Sequence, residues 1–136
     1  MHNLVAREKI LELEDAIRLL PPIELETIHH FAPGVYAREL RIPAGVVLTG
    51  KIHRTEHLNI ISAGKIQVYN DGVTKTIEAP FTFVSKPGTN RAGFAIENTV
   101  WTTIHVTEET DLALIEKEVI VESFELLEFE QRGLIT

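Results

Sequence analysis

Residues Gly45 to Gly64 read GVVLTGKIHRTEHLNIISAG, and the backbone chosen for this stretch decides the fold. His53 and His57 stand four positions apart, the spacing that on a helix would put two imidazoles on one face, ready for zinc. A helix here would have to start after Gly50 and carry Asn59 and the Ile60–Ile61 pair, residues of modest helix propensity. A straight strand fails as well. Four residues at ~3.3 Å each put the two Cα atoms about 13 Å apart, too far to share one ion. A tight turn over Arg54, Thr55 and Glu56 resolves the conflict: it sets His53 and His57 at the ends of successive strands, where their rings can converge.

The neighbouring sequence supports strands. From about Ile23 to Val106 the chain is interrupted at short, near-regular intervals by the turn signals APG, IPAG, SAGK, YNDG, SKPGTN and IENT. Segments rich in Val, Ile, Thr, Phe and Tyr lie between them, the pattern of a β-sandwich or barrel. Before this region, Ile10, Leu13, Ile17 and Leu20 recur at three- and four-residue steps, marking an amphipathic helix that Pro21 and Pro22 stop. After Asp111, LALIEKEVIVESFELLEFEQRG reads as a short strand followed by a helix through Phe124, Leu127 and Phe129. The expected organisation is an N-terminal helix over 1–22, a β-barrel over 23–120 and a helical C-terminal segment over 121–136.

Composition narrows the function classes. A chain of 136 residues, 44% hydrophobic and 24% charged, has the length and balance of one globular domain. There is no cysteine, so disulfides, thiolate metal sites and cysteine nucleophiles are excluded. The net charge of −7 argues against a nucleic-acid surface, which needs clustered Lys and Arg. Acidic residues concentrate in EKILELED and VESFELLEFE, whereas Gly50 to Thr107 is richer in His, Lys and Arg. An anionic partner is therefore expected to be small and held in the middle of the chain. The opening MHNLVAREKILELED has no apolar core of a signal peptide, and no apolar run approaches the ~20 residues of a membrane span. A soluble, cytoplasmic protein without a membrane partner is expected.

The Gly45–Gly64 stretch resembles the first motif of the cupin superfamily, G-x5-H-x-H-x3–4-E-x6-G. Gly45 and Gly64 fall at its two glycines and His53 at its second histidine; Lys51 stands where the family has its first histidine and His57 where it has glutamate. Pro80 to Ala95 is similar to the second motif, G-x5-P-x-G-x2-H-x3-N. There Gly88 is kept, Pro80 replaces the first glycine, Lys86 the proline (Pro87 is beside it), Arg91 the histidine and Ala95 the asparagine. The resemblance covers Ile42 to about Val106, and the whole chain also resembles small single-domain cupins encoded by phages and prophages. It implies a mainly β fold, a double-stranded β-helix or jelly-roll barrel, often dimeric. It also implies a pocket that commonly binds iron, manganese, nickel or zinc through three histidines and a glutamate. Family activities span dioxygenases, isomerases, lyases and pure binding proteins, so the fold does not choose among them.

Turn geometry suggests which residues share the pocket. If Glu97–Thr99 is a hairpin tip, Arg91 faces His105, Gly93 faces Thr103 and Ala95 faces Trp101, with Phe94, Ile96, Val100 and Ile104 on the opposite face. The same reasoning at SAGK pairs His57 with Asn70, Asn59 with Val68 and Ile61 with Ile66. The candidate ligand-binding set is thus Lys51, His53, His57, Asn59, Arg91, Trp101 and His105, with His53, His57 and His105 as the candidate metal ligands. His29 and His30 read as structural and Glu56 as a solvated turn residue. The sequence names no certain cofactor and no catalytic residue; a divalent metal (Fe, Mn, Ni or Zn) is what the resemblance implies. Two cations at family histidine positions favour a small-molecule-binding cupin that takes a small anionic ligand, because arginine supplies a bidentate fork and lysine a point charge. The alternatives are a metal-dependent enzyme of dioxygenase, isomerase or lyase type using the three histidines, and a phage structural or accessory protein using the barrel as scaffold. A homodimer is expected, in the host cytoplasm if the gene belongs to a phage.

Overall fold

The computed structural model describes residues 8–12, 25–70 and 72–121. Residues 8–12 are helical (α1), with Ile10 buried; the rest of the expected N-terminal helix lies outside the described residues. Eleven strands follow: β1 Glu26–Ala32, β2 Val35–Ile42, β3 Val47–Thr49, β4 Ile52–His53, β5 His57–Ala63, β6 Lys65–Asn70, β7 Val73–Glu78, β8 Phe81–Ser85, β9 Ala92–Ala95, β10 Thr99–Val106 and β11 Ile120–Val121, with helix α2 (Leu112–Val119) between the last two. They form a five-stranded sheet in the order β1-β2-β10-β5-β8, a four-stranded sheet in the order β3-β9-β6-β7, and the short pair β11-β4. All the pairings are antiparallel. The architecture is the jelly-roll barrel expected from the sequence. No helix among the described residues is long and apolar enough to cross a membrane.

Turn signals between consecutive strands act in two ways. APG and YNDG close true hairpins, β1–β2 and β6–β7. SAGK and IENT do not: β5 and β10 belong to the five-stranded sheet, β6 and β9 to the four-stranded one. The chain changes sheet at both places, so the cross-strand pairs expected there are replaced. His105 pairs with Tyr36 and Thr103 with Arg38 and Asn59; Gly93 pairs with Leu48 and Val68, and Asn59 with Phe83. Phe94 and Ile96 are exposed, and they do not share a face with Val100 and Ile104, which are on the other sheet. The two crossovers pack on each other. Gly64 adopts φ +91, and a Cβ there would come within 2.2 Å of the Asn98 carbonyl oxygen, which only glycine permits. The buried Thr99 hydroxyl lies 2.9 Å from the Glu97 carbonyl and 3.2 Å from that of Lys65.

Alternation along the strands sorts the five-stranded sheet into inward rows. One row runs His29–Arg38–Thr103–Asn59–Phe83, the next Thr27–Leu40–Trp101–Ile61–Phe81, and a third brings together Tyr36 and His105, and His57 and Ser85. The main core sits at the other wall and floor, where Ile42, Ile66, Val68 and Ala95 are buried beneath Leu25, Leu40, Leu48 and Trp101. A second cluster, Tyr36 with Ile115 and Val119, docks α2 on the barrel.

The C-terminal order is the reverse of the expected strand-then-helix. Asp111 caps α2 by accepting from the N–H groups of Ala113 (2.9 Å) and Leu114 (3.2 Å), and Ile115 and Val119 fall on one face at i, i+4. The strand β11 follows and pairs with β4, Ile120 opposite His53. The helix expected through Phe124 to Phe129 lies outside the described residues.

Candidate functional site

Between the two sheets lies a cavity of about 550 Å³ whose walls include all seven residues named from the sequence: Lys51, His53, His57, Asn59, Arg91, Trp101 and His105. Its size is that of a small-molecule site. The chain bends at Arg54–Thr55, as the sequence required, and the His53 and His57 ring centroids come to 4.2 Å. His105, on β10, completes the cluster at 4.9 Å from His57 and 5.6 Å from His53. Short backbone bonds fix the bend: Gly88 N–H donates to His53 O at 2.8 Å and Arg54 N–H to Val119 O at 2.6 Å. Glu56 is exposed and ion-paired with Lys86.

Burial and mutual proximity keep these imidazoles neutral. Burial, then the neighbouring His57 and His105 and the Arg91 and Arg38 guanidiniums, push His53 down to about 3. Burial, then His57 and Arg38, push His105 down to about 4. His57 is also lowered, by burial against the opposing effect of its bond to Thr55 and with a further contribution from Arg91. The carbonyl of Thr55, 3.0 Å from His57 Nδ1, can only accept, so Nδ1 carries the proton and Nε2 keeps its lone pair. His105 is 5% exposed and its Nδ1 is buried without a hydrogen-bond partner among the described residues.

A hydrogen-bonded chain of side chains organises the adjacent wall. Trp101 Nε1–H donates to Asn59 Oδ1 (3.0 Å), Asn59 Nδ2 donates to Ser85 Oγ (2.8 Å), and Arg91 Nη1 donates to the same oxygen (2.6 Å). The indole N–H can only donate, which orients the Asn59 amide. The Arg91 guanidinium stands 5.1 Å from the centre of the Phe83 ring, and Phe83 meets Trp101 edge-on at 5.7 Å. Arg91 is thereby oriented from two sides.

A third cation joins the two expected ones. Lys51 stands at the rim, its side chain 65% exposed and ion-paired with Glu116 of α2. Arg38 of β2, also exposed, lines the cavity as well, from the sheet opposite the β9 approach that carries Arg91, and makes no side-chain hydrogen bond or ion pair among the described residues. Sequence reasoning also missed Tyr36, whose hydroxyl lies 2.7 Å from His29 Nδ1 and whose ring stacks on His105 at 6.3 Å. His29, read as structural from the sequence, lines the cavity too. The signal for Arg38 was present: in VYARELRI, alternation places Tyr36, Arg38 and Leu40 on one face. The strand's partners, which make that face the inner one, lie far away in sequence.

The fold invites a metal, and the residues meet that expectation in part. The cluster offers neutral nitrogen donors with lone pairs, the protonation state a divalent metal requires. As placed, no group of three or more His, Asp or Glu side chains among the described residues is disposed to hold an ion.

The barrel is the fold of cupin-domain proteins. KdgF from Halomonas sp. superposes with a TM-score of 0.56 at 15% identity, covering 68% of this chain and 88% of its own. A cupin 2 conserved barrel domain protein from Salinispora arenicola gives 0.51 at 13% identity, covering 72% of this chain and 92% of its own. Salicylate 1,2-dioxygenase from Pseudoaminobacter salicylatoxidans gives 0.57 at 17% identity over 83% of this chain, which spans 32% of that enzyme. No family model matches the sequence, and no curated protein matches it significantly.

Proposed function

We propose that the barrel cavity binds a small organic anion. One observation carries this reading: Arg91, oriented by Ser85 Oγ and the Phe83 ring, and Arg38, on the opposite sheet, both line the cavity beside three imidazoles. Arg91 supplies the oriented fork, Arg38 the facing charge, and the neutral imidazoles add hydrogen-bonding edges without adding charge. The test is calorimetric titration of wild type and variants with a panel of small carboxylates and inorganic phosphate. Arg38→Gln and Arg91→Gln should each lose ~2–5 kcal/mol of binding, about thirtyfold or more, while Lys51→Ala changes it little. Failure of every anion in the panel to bind in an arginine-dependent way rejects the proposal.

A second reading is favoured by the buried, unpartnered Nδ1 of His105 beside two further neutral imidazoles. Here His53, His57 and His105 hold a divalent metal, which when bound would supply Lewis-acid or redox chemistry to the anion. Elemental analysis of protein prepared with iron, manganese, nickel and zinc available should then show a stoichiometric metal that His57→Ala removes. Metal content unchanged in that variant, or none in wild type, rejects this reading and leaves the anion site standing.

A further inference from the structure

Resting on the anion-binding reading, we infer that the ligand has an apolar body with few hydroxyl groups: an aromatic or short aliphatic carboxylate rather than a sugar acid or bare phosphate. Two independent features of the cavity require this.

Away from the imidazoles and Arg38, several polar side chains of the wall already bond to one another. Asn59 is shared between Trp101 and Ser85, and Ser85 accepts from both Asn59 and Arg91. The Tyr36 hydroxyl is engaged by His29, that of Thr27 by the Leu25 carbonyl at 3.3 Å, and that of Thr89 by the Lys86 carbonyl at 2.5 Å. A polyhydroxy acid would set hydroxyls against side chains that are already bonded to one another and against the leucines and Trp101, where few of them find a partner. Each one left unpartnered weakens binding by about tenfold. Rearranging the wall instead would break bonds that hold Arg91 in position.

The apolar part of the lining, by contrast, is unfinished. Leu25, Leu40, Leu48 and Trp101 face inward, pack on the main core and line the cavity, yet each is only partly buried. Across the cavity α2 adds Leu112, which is 44% exposed, and the buried Ile115. Apolar surface in this position gains from being covered by apolar ligand atoms, and a bare phosphate would cover none of it. The arginines and imidazoles then read the charged end while the leucines and Trp101 receive the body.

The experiment titrates the full chain with benzoate, hexanoate, gluconate and inorganic phosphate, by calorimetry and thermal shift. Benzoate or hexanoate should bind at least about tenfold more tightly than gluconate or phosphate. That preference should depend on both arginines and should shrink severalfold in Leu48→Ala. Leu112→Gln, at an exposed position of α2 that the fold tolerates, should act in the same direction without touching phosphate. Gluconate or phosphate binding as tightly as the apolar acids, still dependent on Arg38 and Arg91, overturns this inference while the anion reading stands. Apolar-acid binding unchanged in both leucine variants overturns it too. If none of the four anions binds in an arginine-dependent way, both readings fall together.

Discussion

The two walls of the cavity are made of the same kind of strand and do opposite work. The five-stranded sheet presents Arg38, His57, Asn59, Trp101, Thr103 and His105 inward, whereas the four-stranded sheet presents Leu48, Ile66, Val68, Gly93 and Ala95. The apolar wall gives the domain its core and lowers the local dielectric opposite the charged groups. The polar wall can then hold imidazoles far below their ordinary range and guanidiniums at full charge. Neither wall makes a site alone. A polar sheet without the apolar wall would be a solvated surface, where the same groups would titrate normally and bind weakly.

The largest effect should come from disturbing the seam between the walls. Gly64→Ala puts a Cβ against the Asn98 carbonyl and Thr99 Cα and forces a side chain into φ +91. It should cost about 3–5 kcal/mol, measured by urea unfolding. Gly93→Ala, on the apolar wall, is the control. Its Cβ would meet the flexible tips of Ile66 and Leu48 at 3.3 and 3.5 Å, so it should change stability by about 1 kcal/mol or less. Equal effects at the two glycines would show that the seam is not the constraint described.

A smaller effect separates the walls by pH. The folded state holds His53 at about 3 and His105 at about 4, below the ~6.5 of an unfolded chain. The unfolded state therefore binds more protons between those values. The stabilisation is fully present above pH ~6.5 and is lost as pH falls towards the folded values. By pH 5, His53 alone should forfeit about 2 kcal/mol. Unfolding midpoints measured from pH 7.5 to 5 should fall for wild type and fall less for His53→Gln. Parallel curves for the two proteins would mean that the polar wall is open to solvent and the comparison between walls is wrong.

Much of this was legible in the chain itself. Strand content followed from turn residues at near-regular spacing, and the bend at Arg54–Glu56 followed from the inability of either helix or straight strand to accommodate His53 and His57 together. Those are local matters of backbone geometry and composition. The helix after Asp111, where a strand is expected, has local signals as well: an aspartate cap and the Ile115–Val119 spacing. What misled was the assumption that consecutive strands pair. Gly64 and Glu97–Thr99 look like hairpin turns, yet each carries the chain from one sheet to the other.

By itself, the sequence determined where the strands break, which positions demand glycine, and that histidines and cations would gather in the middle of an acidic chain. Only the tertiary structure decided that Arg38 joins Lys51 and Arg91 on the cavity wall. Lys51 and Arg38 are both charged residues beside apolar ones, and nothing local distinguishes them. α2 supplies Glu116 to draw Lys51 to the rim, while β1 and β10 flank β2 and turn Arg38 inward. The reason is physical: a side chain's direction on a strand follows from the backbone, but whether that direction is core or solvent depends on what packs there. Here the packing partners lie far away along the chain.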